Sequence, residues 1–155
     1  DEKIFENTKK SLLSDEEKQP HIDFLKLLEN YHLDDQNRLF IHAGFTNLNG
    51  VEYEYFPKMF YWERTLWENA LSLDPKIEKD SPFYPKRFTL YKEIFIGHTP
   101  VTRVGETTPM NRANVWNMDT GAAFRGPLTI LNVDTKEFWQ SDPLPELYPE
   151  ENGRN

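Results

Sequence analysis

Two short apolar runs that each end in a histidine beside a glycine constrain the fold of this chain more than any other feature. They span residues 38–44 (RLFIHAG) and residues 93–100 (EIFIGHTP). An apolar run of about four residues bounded by glycine and proline is typical of a buried β-strand. Open α/β sheets bind their ligands outside the carboxyl ends of their strands. We therefore predict that His42 and His98 converge on one metal or phosphate site.

The residues beside the two histidines favour ligand binding over a purely structural role. A lone histidine after a buried strand often only hydrogen-bonds a loop carbonyl. Here a glycine lies next to or near each imidazole, which lets the backbone turn sharply and lets a ligand approach closely. Neutral imidazole is also the commonest metal-ligating side chain near physiological pH. His21 and His32 lack this context, so we expect them to be structural or solvent-exposed.

Arg64 and Asp119 are two further candidates. Arg64 lies in the aromatic segment YWER, and its planar guanidinium can bind phosphate through paired hydrogen bonds; the alternative is a solvated charge on a helix. Asp119 precedes a threonine and a glycine at a predicted strand end. We expect it to cap that turn or to orient a histidine, with direct metal binding as the alternative. No specific signal marks Asn114, Asn117 or Arg125.

Charge and composition exclude several classes of function. The formal net charge is −8, whereas a nonspecific nucleic-acid binder needs a basic face to displace counterions. Cysteine is absent, so disulfides, thiolate nucleophiles and cysteine-type zinc sites are excluded. No apolar stretch approaches the roughly 18–20 residues of a membrane span, and no signal peptide is visible. We therefore expect a cytoplasmic protein without a nucleic-acid or membrane partner.

The hydrophobic pattern predicts one main domain between two polar segments. We assign residues 1–14 to a polar N-terminal segment, 15–141 to the domain and 142–155 to an acidic, proline-rich tail. A capping box is predicted at Ser14 and Glu17, with Pro20 interrupting before a helical face in residues 21–31. The other predicted elements are a helix at 57–73, strands at 38–42, 92–97 and 114–119, and a hairpin formed by 128–133 and 136–140.

The order of the motifs resembles the second half of the calcineurin-like metallophosphoesterases. The resemblance is strongest to the bacterial branch of the serine/threonine protein phosphatases, which also contains diadenosine-tetraphosphate hydrolases. It covers residues 15–140 approximately. The matching segments are FIHAG at 40–44, YWER at 61–64, IFIGHTP at 94–100, NMDTGA at 117–122 and GPLT at 126–129.

This resemblance implies a fold and a chemistry. The fold would be the C-terminal half of a two-sheet α/β sandwich, with a mixed sheet and flanking helices. His42 and His98 would be ligands of one of two divalent metal ions, manganese being expected, with iron or zinc as alternatives. Arg64 would help to hold the phosphate. The implied reaction is the hydrolysis of phosphomonoesters, on a phosphoprotein or a small phosphoester, by metal-activated water.

The chain also departs from the family, because the motifs of the family's first half are absent. Asp-x-His, Gly-Asp-x-x-Asp-Arg-Gly and Gly-Asn-His-Glu/Asp do not occur, and two histidines are too few for a catalytic metal site. Since the first residue is Asp1 rather than methionine, we expect a C-terminal portion that is inactive alone, whose partner is the missing N-terminal half. Self-association through exposed strand edges is also expected.

Three alternatives remain open from the sequence. The first is a noncatalytic binding domain derived from the same fold, and the second is a dinucleoside polyphosphate hydrolase. The third is a zinc module in which Asp119 or a partner chain completes the histidine pair. Loops at 46–57 and 74–90 would select the substrate, and their shape is not given by the sequence.

Overall fold

The computed structural model describes residues 14–150 and arranges them around a mixed five-stranded sheet with a separate two-stranded hairpin. The large sheet has the order β1-β2-β3-β5-β4, in which β2, β3 and β5 are parallel and both edge strands are antiparallel. Its strands are β1 (Tyr31–Leu33), β2 (Arg38–Ile41), β3 (Glu93–Ile96), β4 (Met110–Arg112) and β5 (Val115–Asn117). The hairpin pairs β6 (Thr129–Leu131) with β7 (Phe138–Gln140).

The helices are short, and most of them follow strand ends or loops. Among residues 14–150, four are α-helical: α1 (Asp15–Lys26), α2 (Met59–Trp62), α3 (Thr65–Ser72) and α4 (Leu144–Leu147). Three more are single 3₁₀ turns at Val51–Tyr53, Lys86–Thr89 and Val101–Val104. This arrangement confirms the predicted α/β class with a mixed sheet and flanking helices, and it is consistent with an α/β sandwich. The predicted strands and the hairpin are present, shortened at their ends.

One face of the sheet forms the hydrophobic core. Side chains alternate across a strand, and the register places Leu39 beside Ile94, and Ile94 beside Val115. These residues pack with Phe60 of α2 and Leu66 of α3, all less than 5% exposed. Burying a side chain of this size contributes about 1.5–3 kcal/mol, so this face holds the sheet and the two helices together.

The helix predicted over residues 57–73 is wrong as a single helix, because it breaks at Glu63. This residue has extended backbone (φ −64°, ψ 138°) and separates α2 from α3. Its carboxylate turns inward and accepts hydrogen bonds from the backbone N–H of Leu66, at 2.9 Å, and from the Thr65 hydroxyl. The carboxylate thus satisfies free donors at the start of α3, which the apolar periodicity could not reveal.

The opposite face of the sheet is aromatic and only partly covered, since Phe95 is 5% exposed and the rings of Phe40 and Trp116 are half-buried. The Phe40 and Phe95 rings stack with centroids 4.9 Å apart, and Trp116 continues the stack at 6.3 Å from Phe95. Lys136 places its ammonium 5.2 Å above the Phe95 ring and forms an ion pair with Glu93 at 2.7 Å. Exposed apolar residues extend this face on the hairpin, where Ile130 is 66% exposed.

Helix α1 forms by local signals and packs little. The capping box between Ser14 and Glu17 is present as predicted. The predicted interruption at Pro20 is wrong, since Pro20 lies inside a helix that runs through to Lys26. None of its residues is buried, and Phe24 is 63% exposed. The end of the predicted helical face instead forms the edge strand β1, because Tyr31 pairs with β2 rather than continuing the helix.

The last element within the described residues is one turn of helix, α4. The polar segment predicted for residues 1–14 lies, apart from Ser14, outside the described residues. In the predicted tail, α4 has no buried residue, and the domain boundaries stay predictions. Within residues 14–150, no helix combines the length and apolar character needed to cross a membrane.

Candidate metal centre

The parallel strands bring His42 and His98 together at one edge of the sheet. His42 follows β2 and His98 lies two residues beyond β3, and these strands are adjacent and parallel. Their nearest ring nitrogens, Nε2 of His42 and Nδ1 of His98, are 3.2 Å apart. The ring planes meet at 63° with centroids 5.1 Å apart. The predicted convergence of the two imidazoles is therefore present in the structure.

The segment after β2 is held by a buried ion pair. The backbone N–H of Ala43 donates to the Phe60 carbonyl at 2.9 Å, which ties the chain to α2. At Gly44, a Cβ atom would lie 2.5 Å from Oε2 of Glu63. Glu63 is in turn 3.4 Å from the Arg87 guanidinium, and both are buried. A glycine is thus required at 44 for this carboxylate to lie directly beneath the loop that carries the first histidine.

His98 lies at the centre of a tight turn with an uncommon backbone conformation. Its φ is +66°, a region that few non-glycine residues adopt, although histidine is among the enriched ones. The Thr99 N–H donates to the Gly97 carbonyl at 2.7 Å and closes a three-residue γ-turn. Such conformations cost about 1–3 kcal/mol and cluster at functional sites. The turn aims the imidazole back towards His42 rather than out into solvent.

Asn117 supports this turn, although its sequence context gave no signal for it. Its side chain is completely buried at the end of β5. The amide Nδ2 donates to the Thr99 carbonyl at 2.8 Å, and Oδ1 accepts from the Asp119 N–H at 3.0 Å. Asn117 therefore joins the turn at His98 to the strand end that carries Asp119. The signal that could have identified it is a polar residue at a core position of an otherwise apolar strand.

Asp119 lines the same crevice as the two histidines. It forms part of a cavity of about 430 Å³ whose walls also include Phe40 and Phe95. Its Oδ1 atom accepts a hydrogen bond from the Gly121 N–H at 3.0 Å, which is the turn role expected from the sequence. The crevice therefore opens onto the aromatic face of the sheet.

Arg64 lies near the histidine pair, whereas neither His21 nor His32 forms a group of three metal-ligand side chains with the pair within residues 14–150. Arg64 is exposed between α2 and α3, and its guanidinium has no hydrogen bond or ion pair within residues 14–150. His21 is exposed on α1, and His32 is exposed on β1, 3.6 Å from a Glu29 carboxylate oxygen. The expectation that these two histidines are structural or exposed agrees with their positions.

The surroundings of His98 favour the neutral imidazole. Burial lowers the pKa of His98 below its ordinary value, and the positive charge of Arg64 and the neighbouring His42 act in the same direction. The Asp119 carboxylate opposes them, and Arg103 adds a further lowering effect. At neutral pH the ring is thus mainly uncharged, which is the form that binds metal ions.

The geometry of the pair fits two ligands of one metal ion. Two nitrogens that each lie about 2.0–2.1 Å from a tetrahedral metal are separated by about 3.3 Å, close to the observed 3.2 Å. In addition, Nε2 of His98 is buried without a hydrogen-bond partner among the described residues. Since the metal would occupy Nδ1, Nε2 would carry the ring proton, and a hydrogen-bond acceptor outside residues 14–150 would remove the penalty of about 1–3 kcal/mol for an unsatisfied buried polar atom.

The described residues do not by themselves form a catalytic metal site. No group of three or more histidine, aspartate or glutamate side chains that could hold a metal ion occurs within residues 14–150. Catalytic metal sites normally have at least three protein ligands. The histidine pair would therefore need additional ligands to form such a site.

Comparison with known proteins gives one partial similarity. No family model matches the chain. It is 31% identical over 74 residues to the symmetrical bis(5'-nucleosyl)-tetraphosphatase of Haemophilus ducreyi, which covers 48% of this chain and 24% of the relative. The chain therefore spans about a quarter of the length of that relative. The similarity supports the calcineurin-like metallophosphoesterase superfamily at most, and it does not extend to the serine/threonine phosphatase branch.

Proposed function

We propose that this chain contributes one half of a metal site to a cytoplasmic metallophosphoesterase that hydrolyses phosphate esters or anhydrides. The observation that carries the proposal is the pairing of His42 Nε2 with His98 Nδ1 at 3.2 Å, at the carboxyl ends of adjacent parallel strands. The partial similarity to a tetraphosphatase supports the same reaction class. A hydrogen bond between one protonated and one bare nitrogen would have the same separation, so metal binding must be tested directly.

In this proposal each residue has a distinct role. His42 and His98 bind one divalent metal ion, for which manganese, iron and zinc are all suitable. The bound ion would polarise a phosphoryl oxygen and lower the pKa of a bound water. Arg64, whose guanidinium is free of partners in the described part of the chain, binds the phosphate. Asn117 keeps the His98 turn in place.

The remaining ligands would come from a partner that covers the aromatic face. The crevice that contains the histidines is lined by Phe40 and Phe95, so a segment packed on these rings comes alongside the imidazoles. Such packing explains two features together, the uncovered apolar surface and the incomplete ligand set. We propose that the partner is the rest of the same domain, that this chain is inactive alone, and that it self-associates when that partner is absent.

The substrate class has two candidates. Phosphomonoesters, including phosphoproteins, are implied by the resemblance of the motifs to protein phosphatases. Dinucleoside polyphosphates are favoured by the similarity to a bis(5'-nucleosyl)-tetraphosphatase. A noncatalytic binding domain is the competing function, and the observation in its favour is the absence of a third metal ligand within residues 14–150.

The metal-binding step can be tested on this chain without an activity assay. Zinc is added to isotope-labelled protein, and NMR reports the imidazole nitrogens. We expect the signals of His42 and His98 to shift together, with loss of the effect in His42→Asn and His98→Asn. The exposed His21→Asn variant is the matched control and should bind as wild type. Zinc binding that leaves both imidazoles unchanged, or that depends on His21, contradicts the proposed site.

The reaction can be tested with the complete polypeptide in which this chain occurs. Hydrolysis of p-nitrophenyl phosphate and of diadenosine tetraphosphate is measured separately, in the presence of manganese. Replacing either ligand should lower kcat by more than about 100-fold, since even residues that only support metal ligands contribute 10–100-fold. Full activity in His98→Asn rejects the metallophosphoesterase assignment, and manganese-independent hydrolysis does so as well.

A further inference from the structure

A second cavity lies behind the loop that bounds the histidine crevice. Its volume is about 660 Å³. The segment 120–129 is the wall that the two spaces share, because residues 124–127 line this cavity while Thr120, Ala122, Leu128 and Thr129 line the histidine crevice. The lining contains two arginines and several hydroxyl groups on an apolar floor, including Arg103, Arg125, Thr102, Thr107 and Phe124. Nothing in the proposed metal site uses these side chains.

The two arginines of this cavity differ from the buried arginines of the fold. Arg38 is paired with Asp34 and Asp134, and Arg87 with Glu63. Both of those guanidiniums therefore serve the structure.

By contrast, Arg103 and Arg125 are exposed, and neither guanidinium forms a hydrogen bond or an ion pair within residues 14–150. The chain has a net charge of −8, so acidic partners are abundant. Two partner-free arginines in the same cavity therefore indicate a site prepared for an anion from outside the chain.

The cavity is connected to the His98 turn through the backbone and its hydrogen bonds. Pro100, which lines the cavity, is the second residue after His98. The next residue, Val101, donates its N–H to the Asp119 carbonyl at 2.8 Å and begins the 3₁₀ turn that carries Arg103. The wall on the other side is fixed by the Thr120 hydroxyl, which donates to the Pro127 carbonyl at 2.7 Å. Anion-binding groups are thus held at a fixed position beside the candidate metal site.

We propose that this cavity is a subsite for a second, non-scissile phosphate of a polyphosphorylated substrate. Arginine binds phosphate oxygens through two parallel hydrogen bonds, and the hydroxyls of Thr102 and Thr107 are additional donors. A phosphomonoester occupies only the histidine crevice, whereas a polyphosphate chain extends from that crevice across the wall into the cavity. The inference that this anion belongs to the substrate rests on the proposed function, whereas anion binding in the cavity does not require a metal.

The test is calorimetric titration of the 155-residue chain with inorganic tripolyphosphate in the presence of EDTA. We expect measurable binding, weakened at least tenfold by Arg103→Gln and by Arg125→Gln. The matched control is Arg112→Gln, because Arg112 is also exposed and lies on β4 opposite Val115, at the far end of the sheet. Arg125→Lys, which keeps the charge but loses the planar fork, should give an intermediate loss. Circular dichroism verifies that the variants, which change exposed side chains, remain folded.

Failure of this inference can be distinguished from failure of the proposed function. His42→Asn should abolish the zinc response but leave tripolyphosphate affinity in EDTA within about twofold, since imidazole is not among the anion ligands proposed. An equal loss of affinity in Arg112→Gln would show binding by net charge only, and would overturn the subsite. So would the absence of tripolyphosphate binding, or tighter binding of a hexaglutamate peptide than of tripolyphosphate. None of these outcomes bears on the zinc titration of the histidine pair.

Discussion

The ion pair between Glu63 and Arg87 should determine whether the first histidine loop can be held in place. The side chains of Glu63 and Arg87 are only 2% and 8% exposed. The Glu63 carboxylate accepts a hydrogen bond from the Leu66 N–H at 2.9 Å, and the Arg87 guanidinium donates one to the Phe45 carbonyl at 2.6 Å. The pair therefore connects the break between α2 and α3 to the loop after β2. Replacing Glu63 by alanine would leave the Arg87 charge buried without an anion.

The expected loss follows from that burial. Removing one partner of a buried ion pair costs about 3–5 kcal/mol, because the remaining charge is desolvated and uncompensated. In a domain of this size, each 1 kcal/mol lowers the Tm by about 2–4 °C. We therefore expect Glu63→Ala to unfold about 10 °C below wild type. Arg87 keeps hydrogen bonds to Phe45 and Thr65, so the loss should fall towards the lower end of the range.

A double-mutant cycle measured by urea unfolding separates the pair from the individual side chains. Glu63→Ala and Arg87→Ala are each compared with the combined variant, and the combined loss should be smaller than the sum by about 1–3 kcal/mol. Glu68→Ala is the matched control, because Glu68 is an exposed acidic residue on α3. A loss below about 1 kcal/mol in Glu63→Ala, or strictly additive losses, would refute the argument that the buried charges depend on one another.

Two further predictions concern Glu54 and Asn117. Burial acts to raise the pKa of Glu54, but hydrogen bonds, chiefly from backbone N–H groups, outweigh it and lower the pKa overall. The difference in unfolding free energy between wild type and Glu54→Gln, measured by urea unfolding, should therefore be full at pH 7 and shrink as the pH falls below about 4.5. A difference that stays constant down to pH 3 contradicts this. Asn117→Ala should weaken zinc binding by about 10–100-fold, as loss of a residue that orients a ligand does. Asn114→Ala, which removes a buried amide at the other end of β5, should lower stability without that effect, and equal zinc affinities in the two variants would contradict the role of Asn117.

The strands and the histidine pair were predictable because their signals are local. An apolar run followed by glycine and histidine at 38–44 and 93–100 specifies a buried strand with a polar end. Parallel pairing of such strands then brings their carboxyl ends to one edge. The capping box at Ser14 was predictable for the same reason, since it involves residues only three positions apart. What these elements share is that the side chain and the backbone group it serves are close in sequence.

The supports of the site depend on pairings between distant residues, which periodicity cannot express. Glu63 reads as a surface charge in a helical pattern, and only the approach of Arg87 from 24 residues away makes it a buried partner. In the sequence, Asn117 is an ordinary polar residue, and only the fold brings the Thr99 carbonyl to its side-chain amide, which donates a hydrogen bond to it.

The same limit applies to α1, whose predicted apolar face stays exposed within the described residues. An apolar stripe on a helix indicates that this face is covered in the folded protein, but it does not indicate which part of the protein or which partner covers it. Within residues 14–150, no helix residue of α1 is buried, and a cavity of about 800 Å³ connects its side chains Leu25 and Leu28 with His42 and His98. The exposed stripe of α1 and the half-buried Phe40 ring therefore border the same space as the histidine pair. A partner that fills this space would bury both surfaces and lie beside the imidazoles, so the apolar surface and the missing ligands are best explained by one and the same contact.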